Sequence, residues 1–280
     1  MVNFRKLMRQ VLCLASILAT IVVSTGAAQA QDDPAEFANF DSASTIAVDH
    51  TGWAAFLEAY IVLSDDNRTL VNYGAVTEAD HLALKRYVST LQETDPTTLN
   101  QDEALAYWVN LYNAGTVDLI LENYPLISIQ LLFSGITPGP WKRSLFEVNG
   151  RALTLDQIEH SILRVFWDEP RVHYALNCAS IGCPNLAAQP YTGAKLDEML
   201  TDGARTYVNH PRGVTIERRG LKVSSIYKWF KEDFGANDRE VIAHIQQYAE
   251  PELREELERF RRIRRYEYSW ALNDSKSLEE

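Results

Sequence analysis

Beyond residue 30 this sequence lacks a second apolar run near membrane-spanning length, a high cysteine content and a surplus of positive charge. A transmembrane helix needs about 20 apolar residues, so we expect no stable membrane insertion of this part of the chain. The chain has 27 basic and 38 acidic residues, and the resulting negative charge repels phosphate backbones, so no nucleic-acid partner is expected. Cys178 and Cys183 do not have the C-x-x-C spacing that is typical of zinc ribbons and thioredoxin-type redox sites.

The first 30 residues have the three parts of a cleavable signal peptide. Arg5, Lys6 and Arg9 give a positive start, an apolar run covers 11–24, and Ala28-Gln29-Ala30 offers the small-x-small pattern for cleavage. The apolar run is short for a membrane span, and a retained anchor is the alternative. Cleavage leaves 24 basic and 38 acidic residues, a net charge of −14. We therefore predict a soluble, acidic protein that is periplasmic or secreted.

The rest of the chain has no long linker, low-complexity tract or repeat. Residues 31–45 are small, polar and acidic, and they predict a flexible leader. Residues 46–273 predict a single globular domain, and residues 274–280 a polar tail. The domain is long enough for one substantial hydrophobic core.

The fold class is predicted from hydrophobic periodicity, which is helical in the first half and changes afterwards. Helices are predicted over 53–63, 78–91 and 101–123, and later over 154–166, 197–208, 224–234, 238–249 and 251–262. Strands are predicted over 145–148 and 151–153, over 172–177, over 214–218 and 221–223, and over 266–270. Asn149-Gly150 predicts a type I′ hairpin turn, and Thr154 with Gln157 a capping box. The result is an α+β fold, with a mostly helical first half packed on a small antiparallel sheet.

The densest group of reactive side chains lies between His173 and Cys183. Cys178 is the candidate nucleophile, and a thiol needs a neighbouring base or positive charge to become a thiolate. His173 and His160 are the candidate bases, and His160 is the better one if 172–177 is a regular strand. The alternative is a Cys178–Cys183 disulfide, which an oxidising compartment favours. A metal site built from these histidines and cysteines is weaker, and no cofactor is predicted.

The long predicted helix carries Asn113 on its apolar face. An amide in an apolar environment must be hydrogen-bonded, because leaving it unpaired costs free energy. Asn113 either ties down a loop backbone, such as the 177–184 loop, or orients a catalytic group. It is therefore included among the candidate site residues.

At these residues the sequence resembles the domain of unknown function 547 family. The helix Tyr107–Ala114 resembles its W-x-N-x-Y-N-A motif, and the segment around Ile158-Glu159-His160 resembles its I-E-H-x-x-L-R element. His173–Cys178, followed by Cys183-Pro184, resembles its H-F-A-L-x-C segment. Trp229–Phe234 resembles its later W-x-x-x-D-F helix. Four motifs in the same order are more specific than any one of them.

The resemblance implies the fold of the family and a bacterial exported protein. It implies no activity, because the family has no agreed one. Within the family the position of Cys178 is kept in members that have serine in place of Cys183, which implies a functional thiol with His160 and His173 as companions. Ala179 stands where the family usually has glycine, which disfavours a left-handed backbone there.

The sequence leaves open whether the protein is an enzyme. The first hypothesis is a thiol-dependent hydrolase or transferase that acts on a peptide or acyl substrate. The alternative is a non-catalytic binding or scaffold domain stapled by the Cys178–Cys183 disulfide. A thiol redox protein ranks below both, because C-x-x-C is missing. The ligand in either case is an unknown small molecule or peptide.

Overall fold

The computed structural model describes residues 34–133 and 139–278, so the predicted signal peptide lies outside the described residues. Within these ranges the helices are α1 (Thr51–Tyr60), α2 (Glu78–Glu93), α3 (Gln101–Asn123), α4 (Arg164–Phe166), α5 (Val172–Ala175), α6 (Leu196–Val208), α7 (Ile226–Trp229), α8 (Lys231–Phe234), α9 (Asp238–Tyr248) and α10 (Pro251–Leu257). A π-helix, Gln157–Leu163, leads into α4. No described helix is long and apolar enough to cross a membrane.

The strands form three small sheets, and the α+β prediction is confirmed. They are β1 (Ile61–Leu63), β2 (Thr69–Val71), β3 (Ser144–Val148), β4 (Arg151–Thr154), β5 (Val214–Glu217), β6 (Gly220–Ser224) and β7 (Ile263–Glu267). The pairs β1–β2, β3–β4 and β5–β6 are antiparallel. Two features differ from the predicted single antiparallel sheet: the strands form three separate sheets, and β7 adds to β6 in parallel, which makes the third sheet mixed.

Helix α3 is the centre of the larger of two hydrophobic cores. Every residue from Glu103 to Val117 is buried, so the helix is enclosed on all sides and not only along one stripe. Asn100 caps its first turn by accepting a hydrogen bond from the Glu103 N–H at 3.0 Å. The smaller core lies between the β5–β6–β7 sheet and helices α6, α7 and α9.

The predicted flexible leader is wrong over its described part. Residues Ala35–Ala38 form a 3₁₀ turn, and Phe37 is only 1% exposed. Its ring packs edge-on against Trp108 of α3, with ring centroids 5.0 Å apart. The segment is mostly small and polar, and its two aromatic residues, Phe37 and Phe40, give little periodic signal, yet their packing attaches the segment to the domain.

The predicted strand 172–177 is also wrong. Residues Val172–Ala175 form one helical turn, α5, and the chain becomes extended only at Leu176. All six side chains from Val172 to Asn177 are buried, and a short apolar run that is buried all round has no period that distinguishes strand from helix. The turn places His173 and Cys178 differently from a strand, which matters for the site.

Smaller differences concern the ends of elements. Helix α1 ends at Tyr60, and the remainder of the predicted helix is strand β1. The predicted helix 251–262 ends at Leu257, and the final strand begins at Ile263 instead of Tyr266. The first residue of the predicted polar tail, Asp274, is bound to the domain, because its carboxylate accepts a hydrogen bond from the Tyr124 hydroxyl at 2.8 Å.

The segment after β7 joins distant parts of the fold. The Ile181 N–H donates to the Ala271 carbonyl at 2.8 Å, and the Val71 N–H donates to the Asn273 carbonyl at 2.9 Å. Residues 268–273, here called the C-terminal strap, therefore lie against both β2 and the loop that contains the two cysteines. Tyr268 and Trp270 of this strap line the cavity that also contains the two cysteines.

Candidate functional site

Three of the four predicted site residues line one cavity of about 550 Å³. Cys178, His160 and His173 all lie on its wall, whereas Asn113 does not. The full lining is Tyr112, Gln130, Trp141, Asp156, Glu159, His160, Arg164, His173, Leu176, Cys178, Cys183, Pro184, Ile226, Trp229, Phe230, Tyr268 and Trp270. The fold therefore brings the imidazoles and the sulfurs into a common hollow.

The acidic side of the cavity comes from the π-helix and the residue before it. The predicted capping box is present, with the Gln157 N–H donating to Thr154 Oγ1 at 3.0 Å and the Thr154 N–H donating to Gln157 Oε1 at 2.9 Å. The wider π turn that follows places Glu159 and His160 on the cavity wall beside Asp156. Single π turns occur frequently at functional sites.

His173 is held between two carboxylates. Its Nε2 lies 2.6 Å from Asp233 Oδ2, its Nδ1 lies 3.6 Å from Glu159 Oε1, and its ring stacks on Phe230 with centroids 4.1 Å apart. Burial opposes the charged form, but the hydrogen bonds to Asp233 and Glu159 outweigh it and raise the pKa of His173. His173 therefore has a carboxylate facing each ring nitrogen, hydrogen-bonded at Nε2 and 3.6 Å away at Nδ1.

The two carboxylates are shifted in the opposite direction. Burial alone would raise the pKa of Asp233, but hydrogen bonds from His173 and Arg164 hold it well below its usual range. Glu159 behaves in the same way, since the hydrogen bond from His173 overcomes its burial and lowers its pKa. Arg164 completes the group, with Nη2 2.8 Å from Asp233 Oδ1. Glu159, Arg164, His173 and Asp233 form what we call the charge network.

The charge network predicts how stability depends on pH. The ordinary pKa of histidine, 6.5, is raised in the folded protein, so the contribution of His173 is complete below pH 6.5 and is lost as pH rises through the raised value. The carboxylate pKa values are lowered, so their contribution is lost as pH falls below about 4. Urea denaturation should therefore give a lower free energy of unfolding at pH about 9 than at pH about 5.5. His173→Gln should flatten this difference, and equal alkaline losses in both proteins would contradict the assignment.

His160 lies near the cavity mouth, and its side chain is 38% exposed. Its Nδ1 is 3.4 Å from Arg164 Nη1, and its Nε2 is 3.9 Å from Asp156 Oδ1. An arginine can only donate, so Nδ1 is the acceptor in this contact, and Nε2 lies beyond hydrogen-bond distance of Asp156.

Asn113 acts on the backbone next to the cavity. Its Nδ2 donates to the Ala175 carbonyl at 2.9 Å, and its Oδ1 accepts from the Asn177 N–H at 2.8 Å. These two bonds fix the chain where α5 ends and the cysteine loop begins. Of the two roles predicted for Asn113, the structure shows the first, in which the side chain fixes a loop backbone. Both polar atoms of its amide are hydrogen-bonded to backbone groups.

Cys178 and Cys183 form a disulfide in the cavity wall. Cys178 is half-buried, whereas Cys183 is only 4% exposed. Ala179 adopts the left-handed conformation, with φ of 54°, against the expectation from its side chain. The Ala179 N–H donates to Asn177 Oδ1 at 2.9 Å, which helps to hold this strained residue in place.

The cavity also has an aromatic wall that the sequence reasoning did not identify. Trp141, Trp229, Tyr268 and Trp270 lie in mutual contact, with ring centroids 4.7 to 5.6 Å apart. Trp229 is 47% exposed, which is unusual for so large an apolar side chain. Trp229 was visible within a family motif, but Tyr268 and Trp270 were interpreted only as strand residues.

Asp156 differs from the other acidic groups of the cavity. Burial raises the pKa of its carboxyl, and its side chain remains 28% exposed. His160, whose Nε2 lies 3.9 Å away, and Lys142 are the basic residues that act on it, whereas Glu159 and Asp233 are neutralised by the charge network. Among the described residues, no group of three or more His, Cys, Asp or Glu side chains is arranged to hold a metal ion.

A family model described as a protein of unknown function, DUF547, matches residues 96–208. The matched range contains α3, the β3–β4 hairpin, the π-helix, both cysteines and α6, so the family resemblance is confirmed there. Asp233 and four of the cavity aromatics, Trp229, Phe230, Tyr268 and Trp270, lie beyond it. No curated protein and no solved structure matches the chain.

Proposed function

We propose a function from the cavity, because the family model that matches residues 96–208 describes a protein of unknown function: the cavity binds a cationic ligand. The ligand is a small molecule or peptide that carries an ammonium or guanidinium group. The observation that carries the proposal is the aromatic wall beside a carboxylate, Asp156, that the charge network leaves without a strong partner. Ligand binding corresponds to the second of the sequence hypotheses.

The aromatic wall supplies the first part of recognition. The faces of tryptophan and tyrosine carry negative electrostatic potential and attract cations, most strongly when water is excluded. The exposed ring of Trp229 is available to a ligand, and its stacking on Trp270 at 5.6 Å keeps it oriented. A preformed wall of this kind limits the entropy that binding has to overcome.

Asp156 supplies the second part. Its backbone N–H donates to the Trp141 carbonyl at 3.0 Å, which keeps the carboxylate next to the aromatic wall. A bound cation would favour its ionised form and reverse the effect of burial on its pKa. The overall negative charge of the chain also increases the local concentration of cations.

The thiol-dependent hydrolase or transferase stays a prediction. Two contacts weigh against it: the Cys178 sulfur is bonded to Cys183, and Nε2 of His173 is hydrogen-bonded to Asp233 at 2.6 Å. Export to the periplasm or medium remains part of the proposal, and a disulfide is compatible with an oxidising compartment.

Calorimetric titration of the mature chain with choline and its neutral isostere 3,3-dimethylbutanol tests the proposal. Spermidine and blocked lysine and arginine complete the panel, because the size of the cation is not fixed by the cavity. At least one cation should bind saturably, and more tightly than a neutral compound of the same shape. Asp156→Asn and Trp229→Leu should each weaken that binding by about tenfold, since each removes one attraction for the positive charge.

Asp202→Asn provides the matched control, because Asp202 is an exposed carboxylate on α6 that does not line the cavity. It changes the net charge as Asp156→Asn does and should leave the affinity within about twofold. Equal binding of choline and its isostere, equal effects of the two aspartate variants, or no saturation by any cation up to about 10 mM would contradict the proposal.

A further inference from the structure

The loop between the two cysteines is held in place by bonds other than the disulfide. The Ile181 N–H donates to the Ala271 carbonyl and the Gly182 N–H to the Ser269 carbonyl, each at 2.8 Å, so the C-terminal strap fixes the loop backbone. A disulfide that closes so short a loop also restricts the unfolded chain little. The loop can therefore keep its conformation when the disulfide opens. A disulfide that only stabilised the loop would not need these additional bonds.

The two sulfurs differ in accessibility and in hydrogen bonding. Both cysteines line the cavity, but Cys178 is half-buried whereas Cys183 is only 4% exposed, so an incoming group reaches Cys178 more easily. Cys183 Sγ accepts a hydrogen bond from the Cys178 N–H at 3.0 Å and another from the Tyr268 hydroxyl at 3.1 Å. Donors at this position stabilise negative charge on Cys183, which makes it a good leaving group.

The Tyr268 hydroxyl lies between both sulfurs. It is 3.0 Å from Cys178 Sγ as well as 3.1 Å from Cys183 Sγ, and it is 2.9 Å from the Ser180 hydroxyl. Burial raises the pKa of Tyr268, so this hydroxyl keeps its proton and remains a donor. One hydroxyl can thus turn toward whichever sulfur carries the negative charge.

We propose that Cys178–Cys183 is an exchange-active disulfide that oxidises a dithiol entering the cavity. One thiolate of the dithiol attacks Cys178 Sγ, a new sulfur–sulfur bond forms, and the bond to Cys183 breaks with its electron pair on Cys183. The second thiolate of the dithiol then attacks the sulfur of the first and releases Cys178 as a thiolate. The dithiol becomes a disulfide, the protein disulfide becomes two thiols, and the two protons pass from one to the other.

The activity goes beyond ligand binding and does not depend on it. The cavity volume of about 550 Å³ admits a small thiol or the cysteine side chains of a peptide. The sequence argued against a redox role because it lacks C-x-x-C. In the structure both sulfurs nevertheless lie in the cavity wall and share one hydroxyl donor, Tyr268.

The experiment treats the folded mature protein with dithiothreitol, blocks thiols with iodoacetamide at intervals and counts the labels by mass spectrometry. Reduction should proceed at least about 100-fold faster than global unfolding measured under the same conditions. Tyr268→Phe keeps the aromatic ring and removes the hydroxyl, and it should slow the reduction by about tenfold.

A trapping experiment identifies the attacked sulfur. Cys183→Ser leaves Cys178 to form a stable mixed disulfide with bis(2-hydroxyethyl) disulfide, a small neutral probe, and the matched variant Cys178→Ser should react far more slowly. Reduction only at the rate of unfolding, or equal capture by the two variants, would overturn the proposal. Choline binding has no part in these measurements, so the failure of one proposal is distinguishable from the failure of the other.

Discussion

His173→Ala should lower the free energy of unfolding by about 3 to 5 kcal/mol. The imidazolium lies 2.6 Å from Asp233 and 3.6 Å from Glu159, and its side chain is only 1% exposed. Its removal leaves carboxylates in a largely buried environment with fewer opposite charges, and such a change costs more than the pair contributes when intact. Urea denaturation near neutral pH, followed by tryptophan fluorescence, measures the loss.

His160→Ala is the matched control for this substitution. His160 is another histidine of the same cavity wall, but its side chain is 38% exposed and its nearest carboxylate oxygen is 3.9 Å away. A surface contact of this kind contributes about 0 to 1 kcal/mol, so the control should be nearly as stable as the wild-type protein. Similar losses in the two variants would show that the charge network around His173 is not specifically important.

Asn113→Ala should lower the free energy of unfolding by about 2 to 4 kcal/mol. The side chain is 2% exposed and makes one hydrogen bond to the Ala175 carbonyl and one from the Asn177 N–H. Both backbone groups lose their partner in the variant, and each buried unsatisfied group costs about 1 to 3 kcal/mol. The substitution should also loosen the cysteine loop, so dithiothreitol should reduce the disulfide faster, as measured by iodoacetamide labelling.

Asn110→Ala separates the loss of stability from the effect on the site. Asn110 also sits on α3 and makes the same pair of backbone bonds, to the Tyr191 carbonyl at 2.7 Å and from the Tyr191 N–H at 3.0 Å. Its loop does not line the cavity. The two variants should be destabilised to a similar extent, but only Asn113→Ala should alter choline affinity and labelling. Equal effects on these two readouts would contradict a local role of Asn113.

Local signals in the sequence were sufficient for several elements. Helix α3 has the predicted bounds, and the type I′ turn forms with φ of 52° at Asn149 and 74° at Gly150. The Thr154–Gln157 capping box forms with both reciprocal bonds. Each of these features depends on residues close together in sequence, so propensity and spacing are enough to predict it.

The site depended on contacts that no local signal contains. Asp233 lies 60 residues from His173 in sequence, and the choice between a free thiol and a disulfide at Cys178 depends on how the loop folds back to Cys183. The π-helix was predicted as an ordinary helix because its extra residue per turn leaves no pattern in so short a segment. The sequence therefore identified Cys178, His160 and His173 as residues that meet, but not their partners or how their nitrogens and sulfurs are engaged.

The C-terminal strap has a consequence for how the protein is made. Tyr268 and Trp270 belong to the cavity, and residues 269–271 fix the cysteine loop, yet all of them follow β7 in the sequence. A polypeptide that ends near residue 260 contains both cysteines but neither of these rings. The pocket therefore assembles only when nearly the whole polypeptide is present, and an incomplete translation product would carry the sulfurs without the surroundings that control them.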